Sequence, residues 1–588
     1  MPVPSRAATP TGPGRLLRRA SRSENTVLIA LAVVVGVLGG FGAIAFRWLV
    51  ETATWIFSGH ADYAGTTGHP AHPWLPWLGG FFVVLAPAVG GLVYGPLVHR
   101  FAKEARGHGV PEVMYAIHRR GGRIPAKVAF VKALASAVTI GSGGSVGREG
   151  PIVQIGSAMG SSLARAARLD ENGVRMLVAC GAAGGIAATF NAPIAGVFFA
   201  FELLLGTLAA RSFGAIVISA VTASVIGRIF LGDEPFLVLP EFHVSHLAEY
   251  GLYVILGVLA ALVGVTFTRV LYRIEDAWDA VWRGPEWLRP AVGGLGLGLI
   301  LLAVPQMYGV GYPVLEGAVL GEYAVWFLLA MLVAKIIATS FTIGMGGSGG
   351  VFAPSLFLGA MLGAAFGQGA DALLPGLDLD AGAYAVVGMA AVFAGASRAP
   401  ITAVLILFEL SGEYTIILPL MLAVAVSTVL SGALSHDSIY TLKLRRRGID
   451  ITKRADTRAL EDVAVRDVMG AAPPTLRRGM SAAEAVDRLV DARRHVLPVV
   501  SADGRYLGVV TSATAAGALT GDDDADQVIV GQLVERRPGV GPHDTLDDAL
   551  DRLLDEEATD GLAVVEGDAL VGWLHQDAVL RRLASPSR

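Results

Sequence analysis

The sequence predicts a mainly α polytopic membrane protein, built as two repeated halves with broken helices and followed by a small α/β cytoplasmic unit. Three observations predict it. Hydrophobic residues make up 53% of the 588 and charged residues 16%, where an average soluble domain carries roughly a quarter charged. The charge is uneven: the last 139 residues hold 41 charged side chains and the first 449 only 55. Gly- and Pro-rich landmarks recur at one offset. Disorder is excluded by the apolar content, and collagen by glycines (74 of them) without a triplet period. The single cysteine, Cys180, excludes an internal disulfide, and a net charge of −4 gives no sign of a nucleic-acid partner.

Residues 1–25 form a basic tail with Arg6, Arg15, Arg18, Arg19 and Arg22 against Glu24. Arg445, Arg446 and Arg447 follow the last apolar run. Positive charge on both flanks predicts that both termini are cytoplasmic, with an even number of full crossings. The first apolar run is long enough to span and is preceded by a polar tail, so it does not read as a cleavable signal. Thr26 to Phe46, Trp74 to Leu97 and Tyr250 to Val270 read as long spans. Ile152 to Leu163, Val174 to Thr189, Ile194 to Leu205, Phe352 to Phe366 and Ile401 to Leu410 read as short, broken segments. Broken helices place unpaired N–H groups at mid-membrane depth and are tolerated there only inside protein or along a wet cavity.

The repeat is carried by two pairs of motifs. Gly141-Ser-Gly-Gly-Ser-Val-Gly-Arg-Glu-Gly-Pro151 matches Gly344-Met-Gly-Gly-Ser-Gly-Gly-Val-Phe-Ala-Pro354, an offset of 203. Asn191-Ala-Pro193 through Phe201-Glu202-Leu203 matches Arg398-Ala-Pro400 through Phe408-Glu409-Leu410, an offset of 207. Glycine turns that lead into helices expose backbone N–H groups at the positive end of the helix dipole, which together make an anion site. Two such loops, one per half, can hold an anion without a full positive charge, so that it can also leave. A nucleotide phosphate loop would need a Gly-Lys-Ser/Thr ending, and none is present.

These residues resemble the CLC family of chloride channels and chloride/proton exchangers. Gly107, His108, Gly109, Val110 and Pro111 look like its first anion-selectivity motif. Gly147, Arg148, Glu149, Gly150 and Pro151 look like the second, and Gly350 to Pro354 like the third. The resemblance spans residues 25–445 and implies a CLC-type inverted repeat, with halves at 26–235 and 245–440. It implies that Glu149 is a gating glutamate whose carboxylate occupies the anion site in place of chloride. A structural acid in a buried loop is the plainer alternative, but ionisable groups inside membranes are costly and usually functional. The resemblance further implies that the backbone N–H groups of Val351 and Phe352 face the central anion. Tyr440 would offer its hydroxyl from the cytoplasmic side, with an interfacial belt tyrosine as its alternative. Arg148 would raise the local potential or simply bond a carbonyl.

Two positions depart from the family pattern. His108 stands where many members keep a serine that donates to the ion; a histidine also donates N–H and titrates near neutral pH. Leu203 stands where many exchangers carry a proton-transfer glutamate, beside Glu202 of the Phe-Glu pair. Channel and exchanger modes both stay open, with Glu202 or a water wire as the route for protons. A CBS-regulated membrane sensor or enzyme is the other function class. No His-Glu-x-x-His, paired cysteines or nucleophile elbow supports catalysis, and no enzyme activity, metal or required cofactor is expected.

After a linker at 446–463 the tail repeats too. Residues 464–520 and 528–584 each read helix, buried strand, turn, strand, helix, and resemble a tandem CBS pair. A unit of ~55 residues is marginal alone, so the two are expected to pack on each other. Such pairs often bind adenine nucleotides through a Thr-x-x-Asp clamp. Here Thr511 is followed by Thr514, and the second copy has His575 with Asp577 one place early. A structural or dimer-stabilising module is the alternative to nucleotide binding. Asp522, Asp523, Asp524 and Asp526 read as a solvated linker. The resemblance implies a homodimer with one pore per subunit in the plasma (inner) membrane, carrying chloride or a related small anion.

Overall fold

A computed structural model describes residues 13–66, 68, 70–206, 210–232, 246–377, 379–451, 460, 463–519, 528–555 and 560–584. Residues 1–12 of the basic tail, most of the linker and the four aspartates at 522–526 lie outside these. The chain divides into two compact units, Met1–Ile449 and Asp450–Arg588.

The first unit opens with α1 (Pro13–Ser58), α2 (Phe82–Phe101) and α3 (Val110–Arg119). Next come α4 (Ala126–Gly141), α5 (Glu149–Ala166) and α6 (Glu171–Phe190). The half ends with α7 (Pro193–Phe199), which runs into a π turn at Ala200–Leu205, and α8 (Ala210–Leu231). The second half follows the same plan with α9 (Glu249–Val281), α10 (Arg289–Ala303), α11 (Tyr312–Val319) and α12 (Val325–Gly344). It continues through α13 (Phe352–Leu373), α14 (Ala381–Ser397), α15 (Pro400–Ser411) and α16 (Ile417–Leu434), and ends with a short α17 (Thr441–Arg445). Among the described residues, eight helices are long and apolar enough to cross a membrane.

The halves share their helix ends. Asp170 caps α6 by accepting from Gly173 N at 2.9 Å, and Asp380 caps α14 by accepting from Gly382 N at 2.8 Å. Asn191 and Arg398, one offset apart, end these helices in the left-handed region, both at φ 57°. Pro193 and Pro400 then open α7 and α15 at the position where a missing N–H costs nothing.

Two segments that read as too short are full-length helices: Val174 to Thr189 lies in a helix of 20 residues, and Phe352 to Phe366 in one of 22. The glycines that interrupt the apolar text are contact points, not breaks. α5 crosses α6 at Gly156 and Gly181, where an added Cβ would lie 2.1 and 2.0 Å from the partner's carbonyl oxygen. α13 crosses α14 at Gly359 and Gly388 in the same way, at 2.3 and 2.4 Å. Small residues let backbones touch, and dispersion and weak polar contacts then hold helices that gain little from the hydrophobic effect in lipid.

The second unit holds a three-stranded sheet, β1 (Leu476–Arg477), β2 (Val496–Val500) and β3 (Tyr506–Thr511), and a hairpin, β4 (Leu562–Glu566) and β5 (Ala569–Leu574). β1 runs parallel to β2, and both hairpins are antiparallel. Helices Ala482–Asp491 and Leu546–Asp555 precede the hairpins; Ser512–Leu519 and Gln576–Ala584 follow them. Ser481 and Glu484 form a full capping box on the first of these. The two copies exchange arms. Leu460 of the linker and Val465 of the first copy pack in the core of the second, with Leu546, Leu562 and Leu574. Val530 packs in the core of the first, with Leu476, Leu489 and Val510. Neither copy closes its apolar core without a segment of the other, as expected for units this small.

Candidate anion-binding site

The two glycine loops meet where the halves join. Gly147 N donates to Gly350 O at 2.8 Å, and Gly350 N donates to Gly147 O at 2.6 Å. These are equivalent residues, 203 apart, paired antiparallel. Equivalent residues that exchange both bonds have a local two-fold axis between them. The same symmetry recurs alongside: Ser145 N donates to Thr342 Oγ1 at 3.2 Å, and Ser348 N to Thr139 Oγ1 at 3.3 Å.

The crossing brings two helix N-termini together. α5 starts at Glu149 and α13 at Phe352, so both loops end in N–H groups without an acceptor in their own helix and in a positive dipole end. Glu149 is 1% exposed. Its Oε2 accepts from Ala353 N at 3.4 Å, which puts the carboxylate at the head of α13. Its Oε1 accepts from Tyr312 Oη at 3.0 Å. Val351 and Phe352 are buried directly before Ala353. The Gly350-to-Pro354 motif and the glutamate of the Gly147-to-Pro151 motif therefore share one place. Arg148 precedes the first residue of α5, and its guanidinium lies 5.2 Å from the centre of the Tyr312 ring.

The first motif joins them through backbone. Gly109 precedes Val110 and Pro111 at the start of α3 with φ 83°, a conformation glycine adopts freely. A Cβ on Gly150 would lie 2.0 Å from His108 O, so the first motif presses on the first turn of α5. Gly107 O accepts from Lys132 Nζ at 2.7 Å, and Ala105 O from the same group at 2.9 Å. The His108 ring is buried and stacks on Tyr272, 6.1 Å between centres and 23° between planes. Neither of its ring nitrogens has a hydrogen-bond partner among the described residues. Tyr272 donates to Ile439 O at 2.7 Å, next to Tyr440. Tyr440 is 1% exposed, not a belt tyrosine at an interface.

Two cavities adjoin residues of this site. One, about 540 Å³, is lined by Arg47, Asp62, Arg148, Arg228, Tyr312 and Glu316. The other, about 320 Å³, is lined by Lys103, Arg106, Tyr272, Lys443, Arg446 and Arg447 with Glu275 and Asp279. Basic groups predominate in the second, which raises its positive potential.

Glu202 and Leu203 lie on the π turn after α7, away from these loops in sequence. Both Glu202 oxygens are used by the other half: Oε1 accepts from Ile401 N at 3.0 Å, and Oε2 from Thr402 N at 2.8 Å and Thr402 Oγ1 at 2.7 Å. Leu203 is buried.

In the second unit, Thr511 closes β3 and is hydrogen-bonded to Thr514, and Thr514 Oγ1 donates to Glu535 Oε1 at 2.7 Å. The Thr514 hydroxyl, with Arg537 and Thr511, holds the Glu535 carboxyl below the usual carboxylate range. Asp577 lies in the first turn of the last helix, and no hydrogen bond links it to Thr511 among the described residues. Arg494 of the first copy bonds His575 of the second at 3.1 Å; burial first, and then Arg494, lower the His575 pKa.

Sequence reasoning missed Lys132, Tyr312 and Lys335. A signal was available: Gly309-Val-Gly-Tyr-Pro313 repeats Gly107-His-Gly-Val-Pro111 at an offset of 202, and Lys335 repeats Lys132 at 203. Lys335 is fully buried, and its Nζ donates to Val310 O at 2.7 Å and Ser145 Oγ at 3.0 Å.

Comparison with known proteins agrees with this layout. The family described as voltage gated chloride channel matches residues 90–432, and the CBS domain matches residues 465–521 and 530–585. A putative chloride channel protein ClcB-like of Ralstonia nicotianae is 36% identical over 427 residues, 72% of this chain and 98% of its own length. The H(+)/Cl(-) exchange transporter ClcA of Vibrio parahaemolyticus is 35% identical over 356 residues, 60% of this chain and 76% of its own. Among solved structures, a slow cyanobacterial Cl-/H+ antiporter superposes with a TM-score of 0.63 at 26% identity, covering 72% of this chain and 99% of that one. A eukaryotic CLC transporter shares the fold over 94% of this chain, with a TM-score of 0.60 at 22% identity. With its paired glycine loops, its duplicated helices and a C-terminal pair of CBS domains, the chain belongs to the voltage-gated chloride channel (CLC) family of integral membrane proteins.

Proposed function

We propose that the protein moves chloride, or a related small anion, across the plasma membrane through a pore in each subunit of a homodimer, with Glu149 as its gate and both termini in the cytoplasm. The observation that carries this reading is the placement of the Glu149 carboxylate at the head of α13, with Ala353 N as a donor. That is where a bound anion would be held by backbone N–H groups. Protonation of the carboxylate, or its displacement by an anion, frees the path. His108 donates a ring N–H to the passing ion, in the place where its two nitrogens lack other partners among the described residues. The basic mouth at Lys103, Lys443 and Arg446 draws anions from the cytoplasm.

The mode is proton-coupled exchange, as in the relatives and neighbours named as exchangers and antiporters. Water carries the proton past Leu203. One observation favours passive conduction instead: Leu203 offers no proton-transfer acid, and the Glu202 carboxylate is engaged by α15. The test is the reversal potential of the purified protein in vesicles under a pH gradient. A shift with the proton gradient means exchange, and a potential set by chloride alone means a channel. Glu149→Ala is expected to uncouple flux from pH; wild-type pH dependence in that variant would overturn the gate. The anion ranking among chloride, nitrate and fluoride is expected to change in His108→Ser, and an unchanged ranking and pH profile would remove His108 from the site.

The CBS pair acts as a structural module, because Thr511 and Thr514 are already tied to Glu535 where a ribose clamp would be needed. Thermal shift of residues 450–588 with ATP or AMP tests this. Stabilisation at millimolar nucleotide would show a nucleotide site instead.

A further inference from the structure

The repeat of the first motif in the second half has a consequence at the gate. In the first half, Gly109-Val110 starts α3; in the second, Gly311-Tyr312 starts α11. The tyrosine in place of valine adds a hydroxyl, and that hydroxyl reaches across the two-fold axis to Glu149 Oε1 at 3.0 Å. The loop that carries it is fixed. Lys335, on α12, donates to the carbonyls of Val310 at 2.7 Å and Gly309 at 3.4 Å, as Lys132 does to the equivalent loop of the first half. The ring is oriented by the Arg148 guanidinium, 5.2 Å from its centre. The carboxylate is thus held at both oxygens, by a backbone N–H of α13 and a phenol hydroxyl of α11.

We propose that Tyr312 is a positioning residue for the gate: its hydroxyl latches the Glu149 carboxylate in the anion path and sets how readily an anion or a proton releases it. This rests on the reading of Glu149 as the gate. Four groups face that carboxylate: Arg148 beside it, Tyr312 from α11, Lys335 from α12 and Tyr440 ahead of α17; Asp62 in turn faces Lys335. Arg148, Lys335 and Tyr440 keep their effect when the Tyr312 hydroxyl is removed. A hydroxyl donor favours the ionised, seated carboxylate over the protonated or displaced one.

The experiment compares chloride flux against pH for the purified full-length protein in vesicles, in Tyr312→Phe, Glu149→Ala and the double variant. Phenylalanine keeps the ring under Arg148, and gel filtration and melting in detergent confirm the fold. Tyr312→Phe is expected to raise flux at neutral pH by roughly ten- to a hundredfold, the population shift that follows from losing one hydrogen bond to a charged group. The pH of half-maximal flux is expected to move upward with it. In the Glu149→Ala background the same substitution is expected to change nothing. An unchanged pH profile in Tyr312→Phe, or an equal change in both backgrounds, overturns the latch while leaving the gate intact. A Glu149→Ala variant that keeps wild-type pH dependence overturns the gate itself and the latch with it.

Discussion

Glu202 and Glu409 cap each other's helices. Glu202, at the end of the α7 segment, accepts from Ile401 N and Thr402 N in the first turn of α15; Glu409, at the end of α15, accepts from Ile194 N at 2.9 Å and Ala195 N at 2.7 Å in the first turn of α7. Each half of the repeat thus supplies the N-terminal carboxylate of the other. A carboxylate at a helix N-terminus satisfies N–H groups that have no acceptor within the helix and meets the positive end of the dipole.

Glu409→Ala is therefore expected to lower stability by about 1–2 kcal/mol, the usual cost of losing a helix cap. Glu202→Ala is expected to cost more, since Thr402 Oγ1 loses its acceptor as well. Melting temperatures in detergent check both. A Glu409→Ala protein that melts like the wild type would remove the cap from this account.

The glycine crossings make a sharper contrast. Gly359→Ala places a methyl 2.3 Å from Gly388 O and must push α13 and α14 apart. Such overpacking costs about 1–3 kcal/mol or more. Gly369→Ala, on the same helix with no atom within 4 Å of its added Cβ, is expected to cost nothing. Yield and melting temperature of the two variants decide this; equal behaviour would contradict the close approach.

Lys132→Met removes one of two donors to each of the Ala105 and Gly107 carbonyls, leaving Ser348 Oγ and Gly349 N in place. A hydrogen bond from a charged group contributes about 1.5–3 kcal/mol. The expected result is a lower melting temperature together with reduced anion flux, because the loop that carries His108 is no longer fixed. Full flux with normal stability in this variant would show that the lysine does not organise the loop.

Stability of the cytoplasmic unit is expected to fall as pH falls. His575 has its pKa lowered by burial and Arg494, so its contribution is full above the unfolded value near 6.5 and is lost as pH drops through the folded value. Glu535, lowered chiefly by the Thr514 hydroxyl, contributes above the unfolded value near 4.5 and is lost as pH falls further. Denaturation of residues 450–588, followed by the fluorescence of Trp573, is expected to show a first loss that begins as pH falls through about 6.5 and a second that begins as it falls through about 4.5. A flat profile would contradict both assignments.

Membrane class and duplication are legible in the chain alone. Low charge, clustered glycines and two landmark pairs carry this directly, because hydropathy, helix-breaking and offset are properties of the chain. The sequence also showed Glu149 between two glycines and a proline, in a loop built to expose N–H groups. It misjudged the lengths of α6 and α13, because a glycine reads as a break wherever its partner is unseen. Gly156 and Gly181 are far apart in sequence and have meaning only as a contact.

The contacts between the halves are visible only in the folded chain. The Gly147–Gly350 exchange, the hydroxyl of Tyr312 on Glu149 and the crossed caps of Glu202 and Glu409 each join one half to the other. The same holds for the arms that the two CBS copies exchange. A repeat in sequence says that two halves have the same parts. Where those parts touch depends on the symmetry axis between them, and that axis is set by helix packing across about 200 residues of intervening chain, not by any local preference.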